Sequence, residues 1–451
     1  MPTKANIVVC GAGIAGLATA YQLVVQHDIK AVVLVDDKKP LSLTSAYGTE
    51  AYRSWWHDPD MFKFIGRSID LMEELTTESQ NATQMNQRGY VFLTANRNYI
   101  TTLKKQAKEF EKLGGGDLRI HQHDLSYKTA QPEGLEPNLS GTDLILDTHT
   151  IRNLYPFLST DTVAMLHVRR CGWIDLPSMA RWMLKRIIAK GGILIHDQIT
   201  GVKTSGNKVN GARLKSGSLI EAGKIIFATG PLIPQLENIL GINPPVFMEL
   251  HAKVVVRDQA RILPSTVPMM FWTDPINLTQ HNEGIHQISR SPETNLFAEP
   301  FPAGIHIRPR LEGSKHTFLG LWTYDIKPVK PKFPPEFNPS YSKIVMRGLA
   351  RMIPGIKLYL DRSPDMEVNG GYYCKTPDNK PLIGPLPVDG TYIVGALSGY
   401  GVMASLAAGE LITKHITGSP LPDYSTAFLY NRYTETGYVD IENKQATCGQ
   451  L

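Results

Sequence analysis

Between Asn6 and Asp36 the chain reads strand, glycine turn, helix, strand, acid, and no other stretch restricts the fold as tightly. Ile7-Val8-Val9-Cys10 is a short apolar, β-branched run of the kind buried on both faces of a parallel sheet. It leads into Gly11-Ala12-Gly13-Ile14-Ala15-Gly16, after which Ile14, Leu17, Ala18 and Tyr21 share one helical face. A second β-branched run, residues 31–35, ends in Asp36, twenty positions beyond Gly16. A dinucleotide asks for these residues in this order. Gly11 permits the tight turn, Gly13 lets the backbone approach a pyrophosphate, and Gly16 lets the helix pack closely on the strand. The helix N-terminus turns unpaired amide donors and its positive dipole end toward the phosphates. Asp36 can accept hydrogen bonds from both ribose hydroxyls of an adenosine and would repel a 2′-phosphate, which disfavours NADP. The motif serves FAD and NAD alike, so the rest of the chain must choose.

Composition narrows the classes further. The chain has 451 residues, 42% of them hydrophobic, which is too apolar for disorder and long enough for several domains. No apolar run approaches the ~20 residues of a membrane helix, so no membrane span is expected. The formal charge is +5, spread over scattered Lys and Arg, which argues against a nucleic-acid groove. Cys10, Cys171, Cys374 and Cys448 lie far apart without a CxxC pair, so neither a metal site nor a disulfide framework is expected. The first residues lack a secretory pattern and the last three are not Ser-Lys-Leu, so a cytoplasmic location is expected.

Along the chain, Asp58-Pro59 reads as an N-cap and first helical residue, opening a helix to about residue 75. Residues 88–147 mix short strands with a charged helix at about 100–113, ended by Gly114-Gly115-Gly116. No strand precedes that glycine run, so it is not a second phosphate cradle. Asp175-Leu176-Pro177 opens another helix, stopped by Gly191. Residues 193–196, 199–203, 209–214 and 224–227 read as strands, closing at Ala228-Thr229-Gly230. Residues 246–324 alternate like an antiparallel sheet, residues 327–339 form a Pro/Lys loop, and a helix follows at 342–352. Finally, a strand at 391–396, a glycine turn at 398–401 and a helix at 402–417 repeat the strand–glycine–helix device of the N-terminus.

Thr376-Pro377-Asp378-Asn379-Lys380-Pro381-Leu382-Ile383-Gly384-Pro385 looks like a TPDxxPxIGP stretch, and Gly395-Ala396-Leu397-Ser398-Gly399-Tyr400-Gly401 looks like a GxSGHG turn. With the glycine motif, Asp36 and Thr229-Gly230, these segments resemble the D-amino-acid-oxidase superfamily, in its glycine/sarcosine oxidase-like branch. The resemblance implies an α/β plus α+β fold. A Rossmann-like FAD-binding domain is built from residues 1–90, 150–240 and 360–425, with an antiparallel-sheet substrate domain from 91–149 and 241–359 and a tail at 426–451. It implies noncovalent FAD held by Gly11, Gly13, Ile14, Ala15, Gly16, Asp36, Asp37, Ser45, Thr49, Ile199, Thr229, Gly230, Gly399, Tyr400, Gly401, Val402 and Met403. A helix N-terminus aimed at the flavin pyrimidine edge would stabilise negative charge there.

The resemblance further implies hydride transfer from the CH–NH bond of an amine or amino acid to FAD, the imine then hydrolysing. Arg53 stands where relatives bind a substrate carboxylate, work that suits a bidentate guanidinium; the alternative is a pair with Glu50 or an interior carboxylate. Tyr373 and Trp322 would line the pocket, within an aromatic set that also holds Tyr324, Tyr372, Tyr400, Trp55 and Trp56. Several positions depart from the family. Glu50 replaces an arginine, Met403 a lysine, and Gly371 the cysteine that carries covalent flavin. Phe318 stands at the position aligned with a dioxygen-activating lysine, which favours a dehydrogenase or slow oxidase passing electrons to a quinone or protein acceptor over one using dioxygen. His251 and His306 receive no role. Two alternatives remain: oxidation of a 2-hydroxy acid, which a histidine near the flavin would favour, and a flavin-binding subunit without turnover. The substrate and oligomeric state are left open.

Overall fold

The computed structural model describes residues 2–122, 126–278, 299–312, 315–362 and 364–434. Two large sheets organise it. The first has six strands in the order Leu382–Pro385, Thr391–Gly395, Ile225–Phe227, Ile7–Cys10, Val32–Asp36 and Ile193–His196. All its neighbours are parallel except the Leu382–Pro385 edge. Its strands come from both ends and the middle of the chain, so the sheet closes only when distant segments meet. The helices Ile14–Tyr21, Leu176–Ala189 and Gly401–Thr417 pack on it. Gly409 makes the close helix crossing possible, since a Cβ there would lie 2.7 Å from the Ala18 carbonyl oxygen. A meander of Ile199–Ser205, Lys208–Leu214 and Leu219–Glu221 stands beside this sheet.

The second sheet has nine strands and lies over the cleft of the first. Its order is Met366–Lys375, Phe247–Arg257, Lys315–Leu321, Ile305–Glu312, Met269–Trp272, Tyr90–Thr94, Ala164–Val168, Thr142–Ile145 and Leu118–His121. The expectation of an antiparallel sheet is corrected here. Met269–Trp272 runs parallel to Tyr90–Thr94, and Leu118–His121 parallel to Thr142–Ile145, so the sheet is mixed. Ala164–Val168 and Met366–Lys375 also pair in this sheet, although residues 150–240 and 360–425 were expected to belong wholly with the cofactor. Sequence patterning finds a strand without saying which sheet recruits it. The helix Tyr341–Met352 covers the outer face.

Residues 426–434 are not a loose tail. Arg432 is buried and donates to both carboxylate oxygens of Asp378, at 2.9 Å and 3.1 Å, and to the Lys380 carbonyl at 3.0 Å. This clasp holds the Thr376–Pro385 stretch against the sheet. Cys448 and the residues beyond 434 lie outside the described part. Removing one partner of a buried ion pair strands the other, so Arg432→Met should cost about 3–5 kcal/mol, read as a fall in melting temperature. Burial raises the Asp378 carboxyl, but Arg432 outweighs it and holds the group below its ordinary value. The clasp is therefore complete at neutral pH. It weakens as pH falls from the unfolded value of ~3.9 through the lower folded one, and the difference between wild type and variant should close there.

Candidate active site

A long cleft runs along the carboxyl ends of the parallel strands, where open α/β sheets place their ligands. Gly11, Gly13, Ile14, Ala15, Asp36, Asp37, Ser45, Ile199, Thr229, Gly230 and Gly401 line it, all anticipated from the sequence. Gly11 turns at φ +104°, where a side chain would also strike the Ala228 carbonyl. Gly16 sits beneath the cleft, and its Cα is so near Gly11 that a Cβ would lie 1.9 Å from the Gly11 carbonyl oxygen. The Asp36 carboxylate braces the turn, accepting from the Ala12 amide at 2.6 Å and the Lys38 amide at 2.8 Å. The Ile14 amide donates to Ser45 Oγ at 3.2 Å.

Three observations fit this cleft to an anionic dinucleotide. The helices Ile14–Tyr21 and Gly401–Thr417 begin without a side-chain cap, as Tyr99–Lys112 and Tyr341–Met352 also do, but the N-termini of the first two open on the cleft. Thr229 Oγ1 is buried in the cleft wall without a partner among the described residues. Ala396 at φ 51° and Ser398 at φ 43° hold the Gly395–Gly401 turn in a conformation that costs about 1–3 kcal/mol per non-glycine residue. Tyr372, expected in the aromatic set, lines this cleft, whereas sequence reading missed Thr44, Asp197, Cys374 and Ser398 as lining residues. The family-like GxSGHG turn pointed at Ser398; nothing local pointed at the others.

A second, smaller pocket opens between the Gly399–Gly401 turn and the inner face of the nine-stranded sheet. Thr49, Arg53, Tyr90, His251, Phe271, His306, Thr323, Tyr373, Gly399, Tyr400 and Met403 line it. Thr49, Gly399, Tyr400 and Met403, expected at the cofactor, therefore wall this pocket instead of the long cleft, and Val402 lines neither. Tyr400 is tied down by its hydroxyl, which donates to the Asn379 carbonyl at 2.7 Å, and by Trp56 edge-on at 5.3 Å. Gly399 is obligatory for the packing, because a Cβ would come within 2.3 Å of the Tyr373 ring.

Arg53 enters this pocket from the short strand Ala51–Arg53. Its guanidinium stacks over Trp56 at 4.5 Å, and its Nε donates to the Trp55 carbonyl at 3.4 Å. Burial lowers its pKa, the sign of a desolvated cation. Glu50, its other expected partner, belongs to Arg308 at 3.0 Å, which also explains how an acid replaces the family's arginine there. Burial pushes Arg308 down to about 10.

The aromatic set divides by strand register. Tyr373 is in the pocket with its phenol pushed up to about 12 by burial. Trp322 is not, which corrects its assignment as a pocket residue. Its Nε1 donates to the Pro302 carbonyl at 2.8 Å, and its ring packs against Phe301 and Gly348 beneath the helix Tyr341–Met352. Leu321 and Thr323, one residue either side, face the pocket instead. Phe318 shares the outer face with Trp322, buried in the same cluster, so it has no access to the pocket. Lys253, on the inner side, donates to the Tyr47 carbonyl and is lowered to about 8 by burial. Trp55 packs among Phe92 and Phe110.

Two histidines that sequence reasoning left unassigned lie in the pocket. His306 Nδ1 donates to the Gly304 carbonyl at 2.8 Å, its ring stacks on Phe271 at 4.7 Å, and burial lowers its pKa to about 4. His251 stacks on Tyr373 at 3.9 Å and meets the Glu249 carboxylate at 3.0 Å through Nε2. Only the strand register brings them to one face, and a single sequence does not reveal it.

The family model for "DAO: FAD dependent oxidoreductase" matches residues 6–415. The chain belongs to the DAO family. Mitochondrial dimethylglycine dehydrogenase of Rattus norvegicus is 22% identical over 455 residues, covering 98% of this chain and 47% of that protein. The chain thus spans about half the length of the curated relatives it matches. Among solved structures, L-proline dehydrogenase from P. horikoshii superposes with a TM-score of 0.73 at 19% identity, covering 96% of this chain and 99% of that one. Glycine oxidase from Bacillus cereus gives a TM-score of 0.70 at 14% identity, covering 94% and 98%. These likenesses place the two-sheet architecture within the DAO fold. No helix among the described residues is long and apolar enough to cross a membrane.

Proposed function

We propose that this DAO-family protein oxidises the CH–NH bond of an amine or amino acid that carries an acidic group, with noncovalent FAD in the long cleft. The observation that carries this reading is the placement of Arg53 and Tyr373 in a pocket walled by the Gly399–Gly401 turn, which also closes the cofactor cleft. FAD, when bound there, supplies the hydride acceptor. Gly11, Gly13, Asp36 and Thr229 would hold its adenosine and pyrophosphate, and the uncapped amides at Gly401 its ring. Arg53 clamps the substrate carboxylate, and Tyr90, Phe271 and Tyr373 exclude water around the reacting carbon. The imine released then hydrolyses, and the electrons leave to dioxygen or to a quinone or protein acceptor.

Two features support noncovalent binding. A Cβ on Gly371 would sit 2.9 Å from Thr44 Cα, leaving no room for a cysteine there. The Cys374 thiol lines the cleft but is pushed up to about 12 by burial, so it is a poor nucleophile. The presence of His251 and His306 in the pocket favours a second reading, oxidation of a 2-hydroxy acid, whose hydroxyl needs a base. Anaerobic mixing with a panel of secondary amino acids, primary amino acids and 2-hydroxy acids separates the two. Bleaching of the ~450 nm band by amino acids alone is the expected result. Bleaching by hydroxy acids alone would transfer the assignment to them.

A further inference from the structure

Resting on the amine-oxidation reading, we infer that His251, held by Glu249, takes the proton from the substrate ammonium before hydride leaves. Hydrogen-bond chemistry fixes the tautomer. Burial tends to raise the Glu249 carboxyl, but His251 and Lys375 outweigh it and hold it below its ordinary value, so it is an anion. An anionic carboxylate only accepts, and His251 Nε2 lies 3.0 Å from Glu249 Oε2, so Nε2 carries the hydrogen. Nδ1 is then the lone-pair nitrogen of a ring that lines the pocket, and it has no partner among the described residues. Lys375 Nζ, 3.2 Å from the same carboxylate oxygen, steadies Glu249 from the adjacent strand.

An amino acid at neutral pH arrives as an ammonium, whose nitrogen has no electron pair with which to expel a hydride from the neighbouring carbon. Transfer of one N–H proton to His251 Nδ1 leaves that bond's electron pair on nitrogen, where it can form the C=N bond as the hydride departs to FAD. The imidazolium formed is a cation beside the Glu249 carboxylate, which stabilises it as it forms. Glu249 is thus the positioning residue and His251 the proton acceptor. The titratable groups facing His251 are Glu249 on its own strand, Tyr373 and Lys375 from the next, and Arg53 and His306 across the pocket. His306 cannot act in its place, because its Nδ1–H is committed to Gly304 and its value of about 4 keeps it a poor base. Burial lowers His251 less completely, because Glu249 opposes it.

The test uses the FAD-loaded full chain and the rate of anaerobic flavin bleaching by a secondary amino acid over pH 5–10. Wild type should rise through one ionisation on the acid side and then level. His251→Gln should lose about 10²–10⁴-fold at neutral pH and recover toward pH 10, where the substrate amine deprotonates unaided. Glu249→Gln, which keeps the hydrogen bond but not the charge, should move the acid limb to lower pH; it decides the matter should His251→Gln lose its flavin. An unchanged profile in either flavin-loaded variant would overturn the inference while leaving amine oxidation intact. Failure of every amine to bleach the wild type would instead overturn the reading on which it rests.

Discussion

Arg53→Met is expected to lower kcat/KM for an amino acid by about 10²–10³-fold while leaving the bound flavin spectrum unchanged. A charge-assisted bidentate contact to a carboxylate contributes about 1.5–3 kcal/mol, and more when water is excluded, as burial of this guanidinium requires. Methionine keeps an unbranched apolar stem but ends short of the guanidinium that lies over Trp56, so that contact is lost together with the charge. Arg53 lines the smaller pocket and not the long cleft proposed for FAD, so flavin content should hold. The control is an amine without a carboxylate, which has little to lose. A fall of less than about 3-fold for the amino acid would remove Arg53 from the reaction.

Gly16→Ala carries the second large effect. The added Cβ would lie 1.9 Å from the Gly11 carbonyl oxygen and 2.9 Å from its carbon, both backbone atoms with nowhere to go. Helix and turn must separate, at about 1–3 kcal/mol for overpacking, and the pyrophosphate cradle goes with them. The purified variant should be colourless or nearly so, with a lower melting temperature. Gly66→Ala is the informative contrast: no atom of the described residues lies within 4 Å of a Cβ there, in the middle of the helix Pro59–Glu78. It should leave flavin content alone and stabilise by about 0.5–1 kcal/mol. Full flavin occupancy in Gly16→Ala would mean that the cradle is not where the cofactor binds.

The long cleft was legible in the sequence because its determinants are local. A turn that needs glycine, a helix start and an acid at the end of the next strand are written in consecutive residues, and the structure assembles them as read. The smaller pocket was less legible because it depends on strand register. Trp322 and Thr323 differ by one position and point to opposite faces, so an aromatic count around residue 320 could not tell a pocket wall from a helix contact. His251 and His306 come together only because their strands flank Lys315–Leu321 in the sheet, an arrangement no periodicity encodes. Arg432 escaped notice for a similar reason: its partner, Asp378, lies 54 positions away.

The most direct measurement is the visible spectrum of the purified full chain before and after acid precipitation. One equivalent of FAD per chain, with bands near ~450 nm that pass into the supernatant, is the predicted result. A chain that folds yet takes up no flavin, or a colour that stays with the pellet, would contradict it.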